Sequence, residues 1–196
     1  MTLIVVRHGQ TEANRNGLLQ GRADLALNER GREQARAVAD YLSACGARRV
    51  VSSPLLRATN TAAAIADALG LPVEIDERLI ELDYGDWDQR PLSSVSAQQW
   101  AQWRADLSFA PPNGESLASV SERVRAFGEE VLRRYSDEVT VAVSHVSPIK
   151  ALMAWALGVS DETTWRMQLD VCAVSRIGWR NGVPALMTFN ERAPDH

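Results

Sequence analysis

Two histidines and two arginines occupy positions where an α/β protein places its chemistry. Arg7 and His8 come directly after an apolar run near the start of the chain, and His145 comes just after a second apolar run. Arg57 follows a third run after a short Ser-Pro turn. Guanidinium groups match the oxygen geometry of phosphate and stay cationic at working pH, while an imidazole can attack phosphorus and carry the phosphoryl group. Together these residue types favour a phosphoryl-transfer site.

The neighbours of His8 suit a nucleophile. Arg7 is expected to lower the pKa of His8, which keeps the attacking nitrogen unprotonated. Gly9 would let a backbone carbonyl approach the other ring nitrogen and fix the tautomer. Arg57 lies in the first turn of a predicted helix, where the partial positive charge of the helix N-terminus is unfavourable for a cation unless an anion is near. The pattern therefore predicts a bound anion beside these groups.

A departing alkoxide needs a proton, and the acidic stretch 81–88 supplies the candidates. Glu81 lies nearest the apolar pair Leu79-Ile80, which favours a desolvated carboxyl group that can hold a proton. Asp83 stands only two residues further along the chain. Residue type and position favour Glu81 only slightly over Asp83, so both remain candidates on these grounds.

Each of these residues also has an ordinary structural interpretation. A histidine at a strand end is more often a hydrogen-bonded structural residue than a nucleophile. Arg57 could be a solvated helix residue, His145 a satisfied core residue, and 81–88 an acidic surface loop. Tryptophans are mostly core residues, although Trp87, Trp100 and Trp103 could line a pocket. The joint placement of the basic residues at strand ends and helix starts is what favours a site.

The elements that would position these residues alternate along the chain. β-Branched and apolar runs predict strands at 3–6, 49–52, 73–75 and 139–143. A closing hairpin is predicted at 174–179 and 183–189, with its turn at Asn181-Gly182. Apolar spacing and capping residues predict helices at 29–44 after Asn28, from Ser53-Pro54 to Gly70, at 97–107, at 117–135 after Ser116, and from Ser147-Pro148 to 157.

This order of elements predicts a single α/β domain over residues 1–196, with three α/β/α layers and a mostly parallel central sheet. In such sheets, ligands bind beyond the carboxyl ends of the strands. Both histidines and both arginines would meet at that edge if their strands are neighbours. Glycine and proline interrupt the pattern over about 76–115, which predicts a lid or insertion region.

Composition excludes several classes of protein. The net charge is −4 and the basic residues are scattered, which does not favour nucleic-acid binding. No apolar run approaches the roughly 18 residues of a membrane span, and the apolar start lacks the basic region of a signal peptide. Cys45 and Cys172 have no metal-ligand spacing, and neither starts a C-x5-R phosphatase loop. Free thiols in a reducing, cytoplasmic protein without a metal site are therefore predicted.

The same residues resemble a known family. The run Arg7-His8-Gly9-Gln10-Thr11-Glu12, followed by Asn14, resembles the signature of the histidine phosphatase superfamily, the phosphoglycerate-mutase-like proteins. Further segments match in the family's order: 27–31 (LNERG), 52–58 (SSPLLRA), 79–82 (LIEL) with 85–87 (GDW), 114–116 (GES) and 143–145 (VSH). The match covers residues 3 to about 150 and implies the phosphoglycerate-mutase-like fold.

The resemblance implies a role for each site residue. His8 would be the phosphorylated nucleophile, and Arg7, Arg57 and His145 would hold the phosphoryl oxygens. Glu81 matches the general acid, which would protonate the leaving oxygen and then activate water. The remaining implied substrate contacts are Asn14, which would add a phosphate contact, and Gln20-Gly21 beside the substrate. No metal or other cofactor is implied, because cationic side chains take over the role of magnesium.

Three functions are compatible with this resemblance. A phosphatase of small phosphomonoesters is favoured, because the distance along the chain from Glu81 to His145 is short compared with that in cofactor-dependent phosphoglycerate mutases. A mutase is the second choice, and a non-catalytic phospho-ligand-binding relative is disfavoured because every matching catalytic position is filled. The predicted partner is a small phosphorylated metabolite chosen by segments 86–115 and 160–166. A homodimer is common among similar proteins.

Overall fold

The structure, a computed structural model, describes residues 2–180 and 182–193. Within them the strands are β1 (Thr2–Arg7), β2 (Ala47–Ser52), β3 (Val73–Ile75), β4 (Val139–Ser144), β5 (Val174–Arg180) and β6 (Val183–Glu191). The α-helices are α1 (Glu12–Arg15), α2 (Glu29–Leu42), α3 (Leu56–Leu69), α4 (Ala97–Ala105), α5 (Leu117–Arg134) and α6 (Val146–Leu157). Short 3-10 turns occur at Glu77–Leu79, Gly85–Trp87, Leu92–Ser94 and Asp161–Arg166.

The strands form one sheet in the order β3-β2-β4-β1-β5-β6. β1, β2, β3 and β4 run parallel, whereas β5 and β6 are antiparallel and close one side. Arg7 pairs with Ser144 and Ser52 pairs with Val143, so three strands end at the same edge. The predicted mostly parallel sheet is confirmed. Asn181, half of the predicted hairpin turn, lies outside the described residues.

Helices cover both faces of this sheet. Ile4 and Val6 of β1 belong to a buried cluster with residues of α2 and α3, whereas Leu3 and Val5 belong to a second cluster with residues of α5 and α6. Successive strand residues point to opposite faces, so a strand buried on both sides is a continuous apolar run. The three-layer α/β/α architecture predicted from that run is confirmed.

Helix α3 begins later than the sequence predicts. The Ser53-Pro54 start is wrong, because the N-cap is Leu55 and makes no side-chain capping bond. The carboxylate of Asp24 accepts a hydrogen bond from Leu56 N (2.6 Å) and caps the helix from a distant loop. The Ser53 hydroxyl instead lies 2.7 Å from the imidazole of His145. Long-range partners thus decide where this helix starts.

The other predicted helix ends are closer to the structure. Asn28 and Ser116 cap α2 and α5 by accepting bonds from backbone N–H groups. Gly70 ends α3 in the left-handed conformation (φ 66°) that glycine adopts without strain. Helix α6 begins at Val146, one residue before the predicted Ser147-Pro148 start.

Residues 76–115 pack into the main core. Within this segment Trp87, Val95 and Trp103 are buried in the same cluster as residues of α5 and α6. The segment has little regular structure, with three 3-10 turns and α4. It therefore forms one wall of the molecule beside the carboxyl edge of the sheet.

Three expectations from composition concern the described part of the chain. Cys45 and Cys172 are free thiols, and Cys172 is buried. Across residues 2–180 and 182–193, no three His, Cys, Asp or Glu side chains are grouped as metal ligands would be. No described helix combines the length and apolar character that a membrane crossing requires.

Candidate active site

The carboxyl edge of the sheet gathers the basic residues singled out in the sequence. His8 follows β1, and its backbone N–H donates to the carbonyl of Ser144 at the end of β4 (3.0 Å). His145 follows β4, and the ring centroids of the two histidines lie 5.0 Å apart. Arg57, the second residue of α3, is fully buried beside them. The neighbouring strands thus bring these groups to one place.

The imidazole of His8 is held in one tautomer. Its Nδ1 lies 2.7 Å from the carbonyl oxygen of Gly9, so Nδ1–H donates and Nε2 keeps its lone pair. Burial lowers the pKa of His8 well below its ordinary value, and the charges of Arg57 and Arg7 lower it further. His8 is therefore a neutral imidazole with a free Nε2.

Both ring nitrogens of His145 have partners. Arg57 Nε donates to Nδ1 at 3.2 Å, and Nε2 lies 2.7 Å from the hydroxyl of Ser53. Because an arginine can only donate, Nδ1 must be the acceptor and Nε2–H the donor to Ser53. Burial lowers the pKa of His145 well below its ordinary value, with Arg57 and then His8 adding to the effect. His145 is also neutral.

The remaining donors of Arg57 fix the loop that carries Gly21. Its terminal nitrogens donate to the carbonyls of Gly21 (2.6 Å) and Ala23 (2.9 Å). The N–H groups of the same two residues donate to the carboxylate of Asp88. A Cβ at position 21 would lie 2.8 Å from the carbonyl of Leu82, so only glycine allows this close approach. Gly21 therefore lies between the arginine and the acidic loop.

Asn14 and Gln20 form a small polar network. The Thr11 hydroxyl donates to Gln20 Oε1 (2.6 Å), and Asn14 Oδ1 accepts from the backbone N–H of Thr11 as part of a capping box. Arg7 Nη1 donates to the carbonyl of Leu169. Within the described residues, Arg7 Nε and Gln20 Nε2 are buried donors without a protein partner. Buried donors of this kind are unfavourable without an acceptor, and an anion bound beside them would be one.

Glu81 faces the N-terminus of α6. Its carboxylate accepts hydrogen bonds from three backbone N–H groups, those of Leu82 (2.8 Å), Val146 (3.0 Å) and Ser147 (3.2 Å). The side chain is buried, and Val146 directly follows His145. These donors orient a single carboxylate beside the second histidine.

The other acids of the loop have structural partners. The carboxylate of Asp83 accepts from Gly85 N (2.8 Å), that of Asp86 accepts from Asn113, and Asp88 binds the Gly21 loop. Among the acids of 81–88, Glu81 alone approaches the start of α6. The geometry favours Glu81 over Asp83.

An ion pair between α5 and the residue segment before it anchors the backbone around Glu81. Arg123 pairs with Glu115 at 2.9 Å, and its terminal nitrogens donate to the carbonyls of Arg78 (2.6 Å) and Glu81 (3.4 Å). The Ser144 hydroxyl adds a bond to the carbonyl of Leu79 (2.6 Å). Strand β4 and helix α5 therefore hold the backbone of residues 78–81, where the acidic loop begins.

Two glycines let the turn after His8 pack against α2. A Cβ at Gly9 would lie 2.5 Å from the carbonyl oxygen of Gly31, and one at Gly31 would lie 2.1 Å from that of Gln10. Neither position has room for a side chain, because the obstacles are backbone atoms. These contacts explain why glycine is needed in the 27–31 segment as well as after His8.

With this geometry, the comparison with known families is decisive. A sequence profile of the histidine phosphatase superfamily (branch 1) matches residues 3–192. The chain belongs to this superfamily.

Similar proteins agree with this membership. The chain is 38% identical over 177 residues to "Bifunctional protein Rv2228c" of Mycobacterium tuberculosis, covering 88% of this chain but only 49% of that protein. It is 38% identical over 181 residues to "Phosphoserine phosphatase 1" of Hydrogenobacter thermophilus, covering 89% and 85% of the two chains. The alpha-ribazole phosphatase structure from Shigella flexneri superposes with a TM-score of 0.87 at 32% identity, covering 100% and 99%. Two further relatives carry the name probable phosphoglycerate mutase.

Several residues that support the site of this superfamily member are not predicted as such from the sequence. Ser53, taken there as a helix start, is the partner of His145. The Thr61 hydroxyl accepts from Gly9 N (3.1 Å) and donates to the carbonyl of Arg57 (2.8 Å), which ties the turn after His8 to α3. No local signal marks Thr61, because its role depends on α3 packing beside β1.

Proposed function

We propose that this member of the histidine phosphatase superfamily hydrolyses small phosphomonoesters through a phosphoryl group carried on His8, with Glu81 as general acid and base. The observation that carries the proposal is a buried, neutral His8 with a free Nε2, close to the charges of Arg7 and Arg57. Such a group is a nucleophile placed where a phosphate would be held. Relatives named as phosphatases support the same conclusion.

In the first half-reaction, His8 Nε2 forms a bond to phosphorus and the bond from phosphorus to the ester oxygen breaks. Glu81 gives its proton to the departing oxygen, so an alcohol leaves and a carboxylate remains. Arg7 and Arg57 compensate the phosphoryl charge. His145 Nε2–H transfers its hydrogen bond from the Ser53 hydroxyl to a phosphoryl oxygen.

In the second half-reaction, the Glu81 carboxylate takes a proton from water as the water oxygen attacks phosphorus. The bond between His8 Nε2 and phosphorus breaks, and inorganic phosphate leaves. Glu81 is protonated again, and His8 returns to the neutral imidazole held by the carbonyl of Gly9. The same two side chains thus serve both steps.

Hydrolysis is proposed in preference to phosphoglycerate mutase activity. A mutase must exclude water while a bound phosphoglycerate accepts the phosphoryl group, whereas a phosphatase admits water. The short connection from Glu81 to His145 leaves little chain to build such a closed site. We further propose that residues 76–115 cover the leaving-group side, and that the enzyme acts in the cytoplasm on a phosphorylated metabolite without a metal or other cofactor.

Trapping the intermediate tests the proposal. Rapid acid-free quenching of a reaction with p-nitrophenyl phosphate should leave an acid-labile phosphoryl group on His8. In Glu81→Gln the first step needs little acid catalysis with this leaving group, so a burst of nitrophenol equal to the enzyme concentration should precede slow turnover. His8→Ala should show neither burst nor label.

Two outcomes would contradict the proposal. Normal turnover or an equal label in His8→Ala would exclude the covalent step on this histidine. Interconversion of 2- and 3-phosphoglycerate that is faster than hydrolysis of every phosphomonoester tested would establish the mutase instead.

A further inference from the structure

A second cavity begins where Glu81 is held. Three of its lining residues, Leu82, Val146 and Ser147, are those whose N–H groups bind the Glu81 carboxylate. The general acid must face the leaving oxygen of the substrate. The cavity therefore extends from the position of the leaving oxygen, and the alcohol part of a substrate would enter it.

The wall of this cavity is mostly aromatic. Tyr84, Trp100, Trp103 and Trp165 line it, together with the aliphatic Leu19, Leu82, Leu92 and Leu117. Trp100 stacks on Trp103 (5.5 Å between ring centroids, 13° between planes), and Trp165 meets Trp103 edge-on (5.2 Å, 74°). Ring packing of this kind leaves a fixed apolar surface.

The size of the cavity suits one ring. Its volume is about 240 Å³. An apolar protein cavity of about 150 Å³ holds benzene, so this one has room for a benzene-sized ring with a small substituent. It has no room for a nucleotide or a long chain inside its walls. Leu92 at the wall is 47% exposed, which leaves an apolar face open to an incoming group.

One cation stands in this apolar wall. Lys150, the only lysine of the chain, lines the cavity from α6. Among the described residues, its ammonium group forms no salt bridge and no side-chain hydrogen bond. Burial lowers the pKa of Lys150 and the charge of Arg7 lowers it further, which Glu81 partly offsets. A partly buried cation without a counterion is unfavourable until an anion pairs with it.

Two indole groups add donors without partners. The Nε1–H groups of Trp103 and Trp165 are buried and make no hydrogen bond with any described residue. Trp103 itself is only 2% exposed. A buried donor lacking an acceptor costs free energy, which a ligand oxygen in the cavity would recover.

We infer that this cavity selects phosphomonoesters whose alcohol part combines an aromatic ring with a carboxylate, the ring against Trp100 and Trp165 and the carboxylate on Lys150. A single ammonium group balances one carboxylate, and the aromatic wall excludes water from the ring. The inference rests on the proposed phosphatase activity and names its substrate class.

Four matched substrates separate the two recognition elements. Isopropyl phosphate carries neither group, phospholactate carries the carboxylate, 1-phenyl-2-propyl phosphate carries the ring, and phospho-3-phenyllactate carries both. All four are esters of secondary alcohols. We expect each group to raise kcat/KM by about 10-fold or more, so phospho-3-phenyllactate should be the best substrate of the set.

Variants assign each gain to its wall. Trp100→Ala should abolish the increase in kcat/KM that the ring gives when substrates with and without it are compared. Lys150→Met should abolish the increase in kcat/KM that the carboxylate gives. Lys150→Arg should retain most of the carboxylate ratio. Trp179→Ala is the matched control, because that indole lies on β5, is 40% exposed and is not in the cavity wall. Ratios within one variant do not depend on the folded fraction of the preparation.

The single lysine permits a second measurement that does not depend on turnover. Acetylation with a sulfo-NHS ester can modify only Lys150 and the terminal amine, which peptide mass spectrometry distinguishes. In His8→Ala, phospho-3-phenyllactate should protect Lys150 from acetylation, whereas inorganic phosphate should not. Equal protection by the two ligands would contradict a carboxylate on Lys150.

The outcomes separate this inference from the proposed function. If neither p-nitrophenyl phosphate nor any of the four esters is hydrolysed, the phosphatase proposal fails. If all four are hydrolysed with similar kcat/KM, or if Trp179→Ala changes the ratios as much as Trp100→Ala does, the enzyme remains a phosphatase and the selective cavity is refuted. If the ring raises kcat/KM but the carboxylate does not, the assignment of Lys150 as the carboxylate partner is refuted.

Discussion

The two walls of the site differ in what holds them together. The wall around His8 is built from hydrogen bonds. Arg57 makes three of them, to His145 and to the carbonyls of Gly21 and Ala23. The second wall, around Trp103, is built from ring contacts, and two of its indole N–H groups have no partner among the residues that the structure describes. Polar bonds fix direction, whereas ring packing fixes shape.

This difference matches the two tasks that we propose for the site. Phosphoryl transfer needs each donor aimed at one oxygen position, so small displacements cost rate. Selection of an alcohol group needs a surface of the right shape and a few unpaired polar groups. The polar wall should therefore tolerate substitution far less than the aromatic wall.

The largest effect is expected from Arg57→Ala in the polar wall. Loss of the guanidinium removes the proposed phosphate donor and leaves His145 Nδ1 and two carbonyls without the partner that they have in the structure. We expect kcat/KM to fall by about 10³-fold and the free energy of unfolding to fall by about 2 kcal/mol or more. Steady-state kinetics and urea unfolding measure the two quantities.

Arg57→Lys is the informative comparison. A lysine keeps the charge but cannot reach three acceptors with the planar fork of arginine. Most of the rate loss should therefore persist. Recovery of near-normal activity in Arg57→Lys would show that charge alone matters and would break the distinction between the walls.

A smaller effect is expected from the ion pair that supports Glu81. Arg123→Ala removes the bonds to the carbonyls of Arg78 and Glu81 and leaves Glu115 without its closest partner. Because this displaces Glu81, the proposed general acid, we expect kcat to fall about 10-fold to 30-fold for an alkyl phosphate. The fall should be smaller for p-nitrophenyl phosphate, whose leaving group needs little protonation. The comparison of leaving groups separates positioning from simple destabilisation.

Arg134→Ala provides the control on the same helix. Its side chain is exposed and pairs with Glu130 at the far end of α5. It should leave both substrates unaffected, and Arg123→Lys should restore part of the alkyl phosphate rate. An equal loss for both leaving groups in Arg123→Ala would contradict the positioning role.

The polar wall was largely predictable from the sequence, and the reason is local. Arg7, His8 and His145 are placed by two continuous apolar strands, and parallel strands deliver their carboxyl ends to one edge. The tautomer of His8 follows from the next residue along the chain, Gly9. Strand identity and immediate neighbours are the information that a single sequence carries most clearly.

Ser53 shows where this prediction fails. A serine before a proline has the composition of a helix start, yet its hydroxyl binds His145, and Asp24 caps the helix instead. Which partner the hydroxyl takes depends on residues far away in the chain. The choice between Glu81 and Asp83 as the general acid candidate also depends on distant residues. Only the contact between Glu81 and the start of α6 separates the two.

The aromatic wall was the least predictable part. The sequence indicates Trp87, Trp100 and Trp103 as potential pocket residues. In the structure Trp87 does not line the cavity, whereas Trp165 does. Trp165 lies in a 3-10 turn after α6 and contacts Trp103 through the packing of the folded chain. Ring contacts between distant segments have no local signature, so only the folded chain reveals them.

A further predicted effect concerns pH, and it again belongs to the polar wall. Folded His8 and His145 have lowered pKa values, whereas the unfolded chain binds protons at histidine near pH 6.5. Their contribution to stability is complete above about pH 6.5 and is lost below it, by up to about 1.4 kcal/mol per pH unit for each histidine. Urea unfolding between pH 7.5 and 5.5 measures this slope. His145→Gln should reduce the slope of the unfolding free energy against pH. Trp103→Phe in the aromatic wall should lower stability without changing the slope. An unchanged slope in His145→Gln would show that pH does not distinguish the two walls.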